Sequence, residues 1–135
     1  MNWTSDKRSA LILGTGGAAK AVEFALHDMG CVVHYVSRTK QKNNLTYEEL
    51  NAEIIQKVDL IINTTPLGTF PDVESCPNIP YEHLTERQHL YDLVYNPELT
   101  KFLKFGLEKS CPIQNGLKML KLQAEAAWEI WNSGQ

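Results

Sequence analysis

The sequence has few cysteines, no long apolar run and no charge excess large enough to attract a polyanion. Cys31, Cys76 and Cys111 form an odd set of three without a CxxC pair, which excludes a disulfide framework and a cysteine-built metal site. They read as reduced, mostly buried small hydrophobes. His27, His34, His83 and His89 are scattered without ligand spacing, so no metal is expected. The longest apolar runs, 10–13 and 60–62, fall far short of the ~20 residues of a bilayer-spanning helix. The opening MNWTSDKRS has no apolar core of a secretory signal, and a cytoplasmic address is expected. Lys and Arg number 13 against 16 Asp and Glu, a net charge of −3. Neither nucleic acid nor a membrane surface is an expected partner.

What is present is the composition of a globular domain: 135 residues, 43% hydrophobic and 21% charged. A chain of this length buries roughly two-thirds of its unfolded surface. The run 9–13 ends in glycines, and from Ala18 the residues Ala18, Ala21, Val22, Ala25, Leu26 and Met29 recur at three and four, a strand entering a helix. Gly30 stands where a left-handed cap is wanted, and 31–36 reads as a buried β-branched strand. A polar loop over 37–44 leads to a short helix that Thr46 is expected to cap through Glu49, then to a third strand at 58–63. Pro66, Pro71, Pro77 and Pro80 make 64–80 an extended loop, of a length usually kept for function. A fourth strand is expected at 89–94, a helix opened by Asn96-Pro97 at about 98–106, a short strand near 111–113, and a long helix from Gly116 to about Trp131. This alternation predicts an α/β fold: a doubly wound parallel sheet in three layers, one domain over 1–135.

Gly14-Thr15-Gly16-Gly17-Ala18-Ala19 is a GxGxxA pattern between a strand and an amphipathic helix, the context the dinucleotide fingerprint requires. Gly14 allows the tight turn, Gly16 lets the backbone approach a pyrophosphate, and Ala19 is small enough for close helix–strand packing. The fold class is therefore Rossmann-like. About 20 residues further on, where an NAD enzyme carries an acid for the ribose hydroxyls, the chain has Ser37-Arg38-Thr39-Lys40-Gln41-Lys42. An acid repels a 2′-phosphate; Arg38 binds one as a fork or stacks on adenine, with Thr39 and a lysine adding donors. NADP is the expected cofactor.

Five ordered motifs resemble the shikimate dehydrogenases, specifically their C-terminal NADP-binding domain. The stretch 14–21 is similar to the family's GAGGAxxA loop, and 37–42 to its NRTxxR/K motif, with Ser37 in the Asn place and Lys42 in the last. Residues 63–68 resemble NATPLG, 92–97 resemble D-x-VYNP, and 116–124 resemble GLxMLxxQA. The resemblance implies that the loop of Gly14, Thr15, Gly16, Gly17 and Ala18 meets the pyrophosphate, and that Ser37, Arg38, Thr39 and Lys42 meet the adenosine 2′-phosphate. It sets Thr65, Leu93 and Gly116 along the nicotinamide half, and it aims Tyr95 and Gln123 at the hydroxyls and carboxylate of a shikimate-like substrate. Gln123 also lies four residues from Met119 and from Ala127, on an apolar helical face where an amide needs a partner.

The family's catalytic Lys and Asp, and its Ser or Thr grip on the substrate carboxylate, belong to an N-terminal substrate domain. Only 13 residues precede Gly14, and neither Asp6 nor Lys7 matches those motifs, so no catalytic residue is nominated. Residues 1–8 read as a linker remnant, and the helix 116–132 is expected to pack on the missing domain. Its Met119, Leu120, Trp128, Ile130 and Trp131 then offer apolar surface for self-association, such as a homodimer. The resulting expectation is the cofactor domain of an NADP-dependent oxidoreductase interconverting 3-dehydroshikimate and shikimate, inactive by itself. Alternatives are the corresponding domain of a quinate/shikimate dehydrogenase or of glutamyl-tRNA reductase, and a non-catalytic NADP-sensing or interaction module.

Overall fold

A computed structural model describes residues 8–116. Six strands, β1 (Ser9–Leu13), β2 (Val32–Ser37), β3 (Leu45–Thr46), β4 (Leu60–Asn63), β5 (His89–Asp92) and β6 (Ile113–Gln114), form one sheet. Three helices, α1 (Gly17–Asp28), α2 (Ala52–Lys57) and α3 (Lys101–Glu108), connect them. Every pairing is parallel, in the order β3-β2-β1-β4-β5-β6. The expected doubly wound sheet is observed, with an edge strand, β3, that the sequence did not announce.

Alternation along the strands divides the core in two. Leu11, Leu13 and Ile61 face one side with Ile55 of α2 and Phe102 and Leu103 of α3. Ala10, Ile12, Leu60 and Ile62 face the other with Ala19, Val22 and Leu26 of α1. The strands of a parallel sheet covered on both faces read as near-continuous apolar runs, which is what SALIL and LIIN are. Each fully buried large apolar side chain contributes about 1.5–3 kcal/mol, and Phe102, the largest of them, anchors α3.

Local details depart from the sequence reading. The buried face of α1 is Ala19, Val22 and Leu26, not the stripe through Ala18, Ala21 and Met29, which are exposed. Small alanines make two neighbouring faces nearly equal in hydropathy, and packing against the sheet selects between them. Thr46 does build a capping box with Glu49, but it closes a single 3₁₀ turn, Tyr47–Glu49. The helix begins later, where the Asn51 side chain accepts from the Ile54 amide. Likewise Asn96-Pro97 opens no helix. Thr100 caps α3 by accepting from the Leu103 amide. Gly30 takes the left-handed conformation expected of a helix stop, at φ +81°.

The amino-terminal edge of the sheet is closed by polar contacts. Gln88 is fully buried; its Oε1 accepts from the Thr85 amide at 2.8 Å, and its Nε2 donates to the Val58 carbonyl at 3.1 Å. Asp59 accepts from the Ser9 amide at 3.0 Å and pairs with Arg87 at 3.3 Å. No helix among the described residues is long and apolar enough to cross a membrane.

Candidate functional site

Connections leave β1 towards β2 and β3 on one side, while β4, β5 and β6 extend the sheet on the other. Ligands of open α/β sheets bind at such a reversal, outside the carboxyl ends of the strands. Here those ends release the glycine loop after β1 and the Thr64-Thr65 loop after β4. The Thr64 amide and hydroxyl both donate to the Leu13 carbonyl, at 3.0 and 2.6 Å, tying the two exits together. Gly14 stands against them at φ +108°, and a Cβ there would meet Thr64 Oγ1 at 2.7 Å. The chain itself therefore requires this glycine.

Gly16 and Gly17 differ, for a Cβ on either would meet nothing within 4 Å. Gly16 is the N-cap of α1, no side chain caps the helix, and its first turn carries no acid. Thr15, Gly16, Gly17 and Ala18 are all exposed, and Ala19 is fully buried against the sheet. The result is a bare amino end of a 12-residue helix, with unpaired N–H groups and positive dipole, an environment that favours an anion.

Val36 pairs with Leu13, so Ser37 and Gly14 leave the sheet side by side. Ser37 is buried and its hydroxyl donates to the Thr39 carbonyl at 2.7 Å. Arg38, Thr39 and Lys42 are exposed. Arg38 and Lys42 make no hydrogen bond or ion pair among the described residues, whereas Lys40 donates to the Glu49 carboxylate and the Asn44 carbonyl, both at 3.0 Å. Lys40, which the family motif leaves out of the expected contacts, is thus engaged within the protein.

On the β4–β5 side, the Leu93 amide donates to the Asn63 carbonyl at 3.0 Å, and a Cβ at Gly116 would collide with the Leu93 carbonyl. The Thr65 amide and hydroxyl donate to Asn63 Oδ1 at 3.0 and 2.6 Å. Thr65, Leu93 and Gly116 are thus brought to one edge. Tyr95 is exposed beyond Val94, and the neighbouring Phe70 amide donates to the Asn96 carbonyl at 2.9 Å, joining the Tyr95 loop to the proline-rich one. Gln123 and, beyond Gly116, the helix expected over 116–132 lie outside the described residues, as does the segment 1–7.

The sequence reading assigned no role to the buried polar cluster beneath these loops. Asp92 is fully buried and accepts from Asn63 Nδ2 at 3.0 Å, the Val94 amide at 3.0 Å and the Thr100 hydroxyl at 2.7 Å. Burial pushes its carboxyl above the ordinary value, against the opposing pull of the Thr100, Val94 and Asn63 hydrogen bonds. The signal was present: Asn63 and Asp92 end two apolar strands with polar side chains at equivalent positions. An open cleft of about 300 Å³ lies elsewhere, between α3 and residues including Val73, Glu74 and Leu99, and contains none of the expected site residues.

The parallel sheet, the glycine turn at its reversal and the bare helix end define a Rossmann-like α/β domain. Over nearly its whole length the chain is similar to about half of shikimate dehydrogenases, a match that fits their C-terminal domain. No family model matches it. The shikimate dehydrogenase (NADP(+)) of Desulforamulus reducens is 33% identical over 145 residues, covering 92% of this chain and 49% of the enzyme. That of Clostridium beijerinckii is 40% identical over 136 residues, covering 93% and 49%. The shikimate 5-dehydrogenase of Thermus thermophilus, solved in complex with NADP(H) and shikimate, superposes with a TM-score of 0.70 at 33% identity, over 92% of this chain and 49% of that one. The chain spans about half the length of the curated relatives it matches.

Proposed function

We propose that this chain binds NADP(H) along the carboxyl edge of the sheet and is the cofactor domain of an oxidoreductase interconverting 3-dehydroshikimate and shikimate. One observation carries the cofactor reading. The bare helix end beside Gly16 and Gly17 shares its edge with Arg38 and Lys42, two cations uncommitted among the described residues, while the nearby Glu49 is engaged by Lys40 and Thr46. The open space over Gly16 and Gly17 fits a pyrophosphate, and an unopposed guanidinium fits a 2′-phosphate. The complex of the Thermus relative with NADP(H) and shikimate supports both halves of the reading.

In this reading the amides of Thr15, Gly16, Gly17 and Ala18 hold the pyrophosphate, and Ser37, Arg38, Thr39 and Lys42 hold the adenosine phosphate. Thr65, Leu93 and Gly116 line the nicotinamide half. When bound, the cofactor supplies a carbon that exchanges hydride with the substrate. Asn63 orients Thr65, and Gly116 leaves the Leu93 carbonyl uncovered by any side chain of its own. Tyr95 and Gln123 form one wall of the substrate site; the proton-transfer and carboxylate-gripping groups come from outside this chain. Binding and orientation are this domain's share of catalysis. A cytoplasmic address and a homodimer complete the proposal, with sedimentation as the check on the latter.

Calorimetric titration of the purified chain with NADP and with NAD tests the cofactor reading. Tighter binding of NADP is expected, and equal affinities would remove the reading's basis.

A further inference from the structure

The basic loop after β2 is knit to itself at several points. The Ser37 hydroxyl donates to the Thr39 carbonyl at 2.7 Å, the Asn44 amide to the Gln41 carbonyl at 3.2 Å, and Asn44 Nδ2 to Gln41 Oε1 at 3.0 Å. Asn43 turns the chain through the left-handed region at φ +70°. Lys40 gathers these parts of the loop: its Nζ donates to the Asn44 carbonyl at 3.0 Å and to Glu49 Oε1 and Oε2 at 3.0 and 3.3 Å. Glu49 in turn is fixed to the body of the sheet, since Oε1 accepts the amide of Thr46, the last residue of β3, at 2.9 Å, and its hydroxyl at 3.2 Å.

Three cations are therefore not equivalent. Lys40 already points two of its three donors at protein acceptors, whereas Arg38 and Lys42 remain uncommitted among the described residues. An isolated exposed ion pair adds little stability, but this one joins the loop to a strand that is already in register with β2 through Val36↔Leu45 and Ser37↔Thr46. We infer that the Lys40–Glu49 pair is a brace that sets Arg38 and Lys42 for an anionic ribose phosphate, which makes Glu49, an acid beside an anion site, a positioning residue for cofactor selection. The inference rests on the NADP reading above.

Charge and geometry predict opposite signs for it. Glu49→Gln raises the local charge by one and Lys40→Met lowers it by one, so a purely electrostatic role moves NADP affinity in opposite directions. A brace moves both down. The experiment is calorimetric titration of wild type, Glu49→Gln, Lys40→Met and the double variant with NADP and with NAD, after unfolding curves show all four folded. Each single variant is expected to weaken NADP about 3- to 10-fold with NAD changed less than about twofold, and the double variant to be no weaker than the weaker single one, as for two ends of one interaction. Tighter NADP binding by Glu49→Gln, additive losses, or a loss confined to Lys40→Met would each overturn the brace. A wild type without NADP preference overturns the cofactor reading and the inference with it; an NADP preference left undiminished by both substitutions overturns the inference alone.

Discussion

Asn63 Nδ2 donates to Asp92 across 3.0 Å, and through this contact a buried carboxylate at the end of β5 fixes the amide that holds Thr65 at the end of β4. The contact bridges two strands in register, Asn63↔Asp92. Asp92→Ala leaves the Thr100 hydroxyl, the Val94 amide and the Asn63 amide without their acceptor. At about 1–3 kcal/mol for each buried unpaired group, a loss above about 3 kcal/mol is expected. Asp92→Asn, which keeps shape and one acceptor oxygen, is expected to cost less. Urea unfolding measures both.

The same residue carries a pH signature. A carboxyl raised above its ordinary 3.8 holds its proton more tightly in the folded chain than in the unfolded one. Its contribution to stability is therefore fullest below the unfolded value and declines as pH rises towards the raised native value. Wild type measured against Asp92→Asn is expected to lose ground as pH rises from the ordinary carboxylate range through the raised native value. A gap that moves the other way would mean that the three hydrogen bonds outweigh burial.

Two glycines in one loop should answer to different assays. Gly14→Ala puts a Cβ at φ +108° against Thr64 Oγ1 and is expected to destabilise the fold by about 1–3 kcal/mol. At Gly16 an added Cβ meets nothing within 4 Å, so for Gly16→Val unfolding should shift by less than about 1 kcal/mol while dinucleotide affinity falls at least about tenfold. Retained affinity in folded Gly16→Val would leave the open space without a ligand.

Arg38→Ala removes an exposed guanidinium with no hydrogen-bond partner among the described residues, so stability should hardly change. NADP affinity is expected to drop about ten- to a hundred-fold, the worth of one charge-assisted contact of about 1.5–3 kcal/mol, with NAD affinity unchanged. Parallel titrations decide it.

Shikimate-dependent reduction of NADP by the 135-residue chain is expected to be undetectable by NADPH absorbance even where the cofactor binds. A barrier falls by proximity only when both reactants are held, and the proposed function gives this chain only one wall of the substrate site. Turnover by this chain would require a proton-transfer group within it.

Much of this was legible because periodicity changes sharply where function sits. The switch from an apolar run to period 3.6 at Gly14 located the turn, and the absence of an acid after β2 located the cationic loop. Leu45–Thr46 was not legible, since two residues carry no alternation and become a strand only by pairing with Val36 and Ser37. The partner of Asp92 was not legible either. It lies 29 residues away and is chosen by sheet register, which exists only after the strand order is set. Residue chemistry alone could not tell Lys40 from Lys42, which only the family motif separated, because Glu49 reaches Lys40 only through the path of β3.

The polar closure of the amino-terminal edge bears on how such a chain varies over time. Gln88, Asp59 and Arg87 secure the end of the sheet opposite every exposed loop named above. On the proposed function, changes there alter how much folded chain persists, and changes at Arg38 or Gly16 alter which small molecule it carries. Selection can thus tune abundance at the amino-terminal end without rewriting the choice of ligand, whereas the carboxyl end, where Gly14 and Asp92 also hold the fold, couples the two.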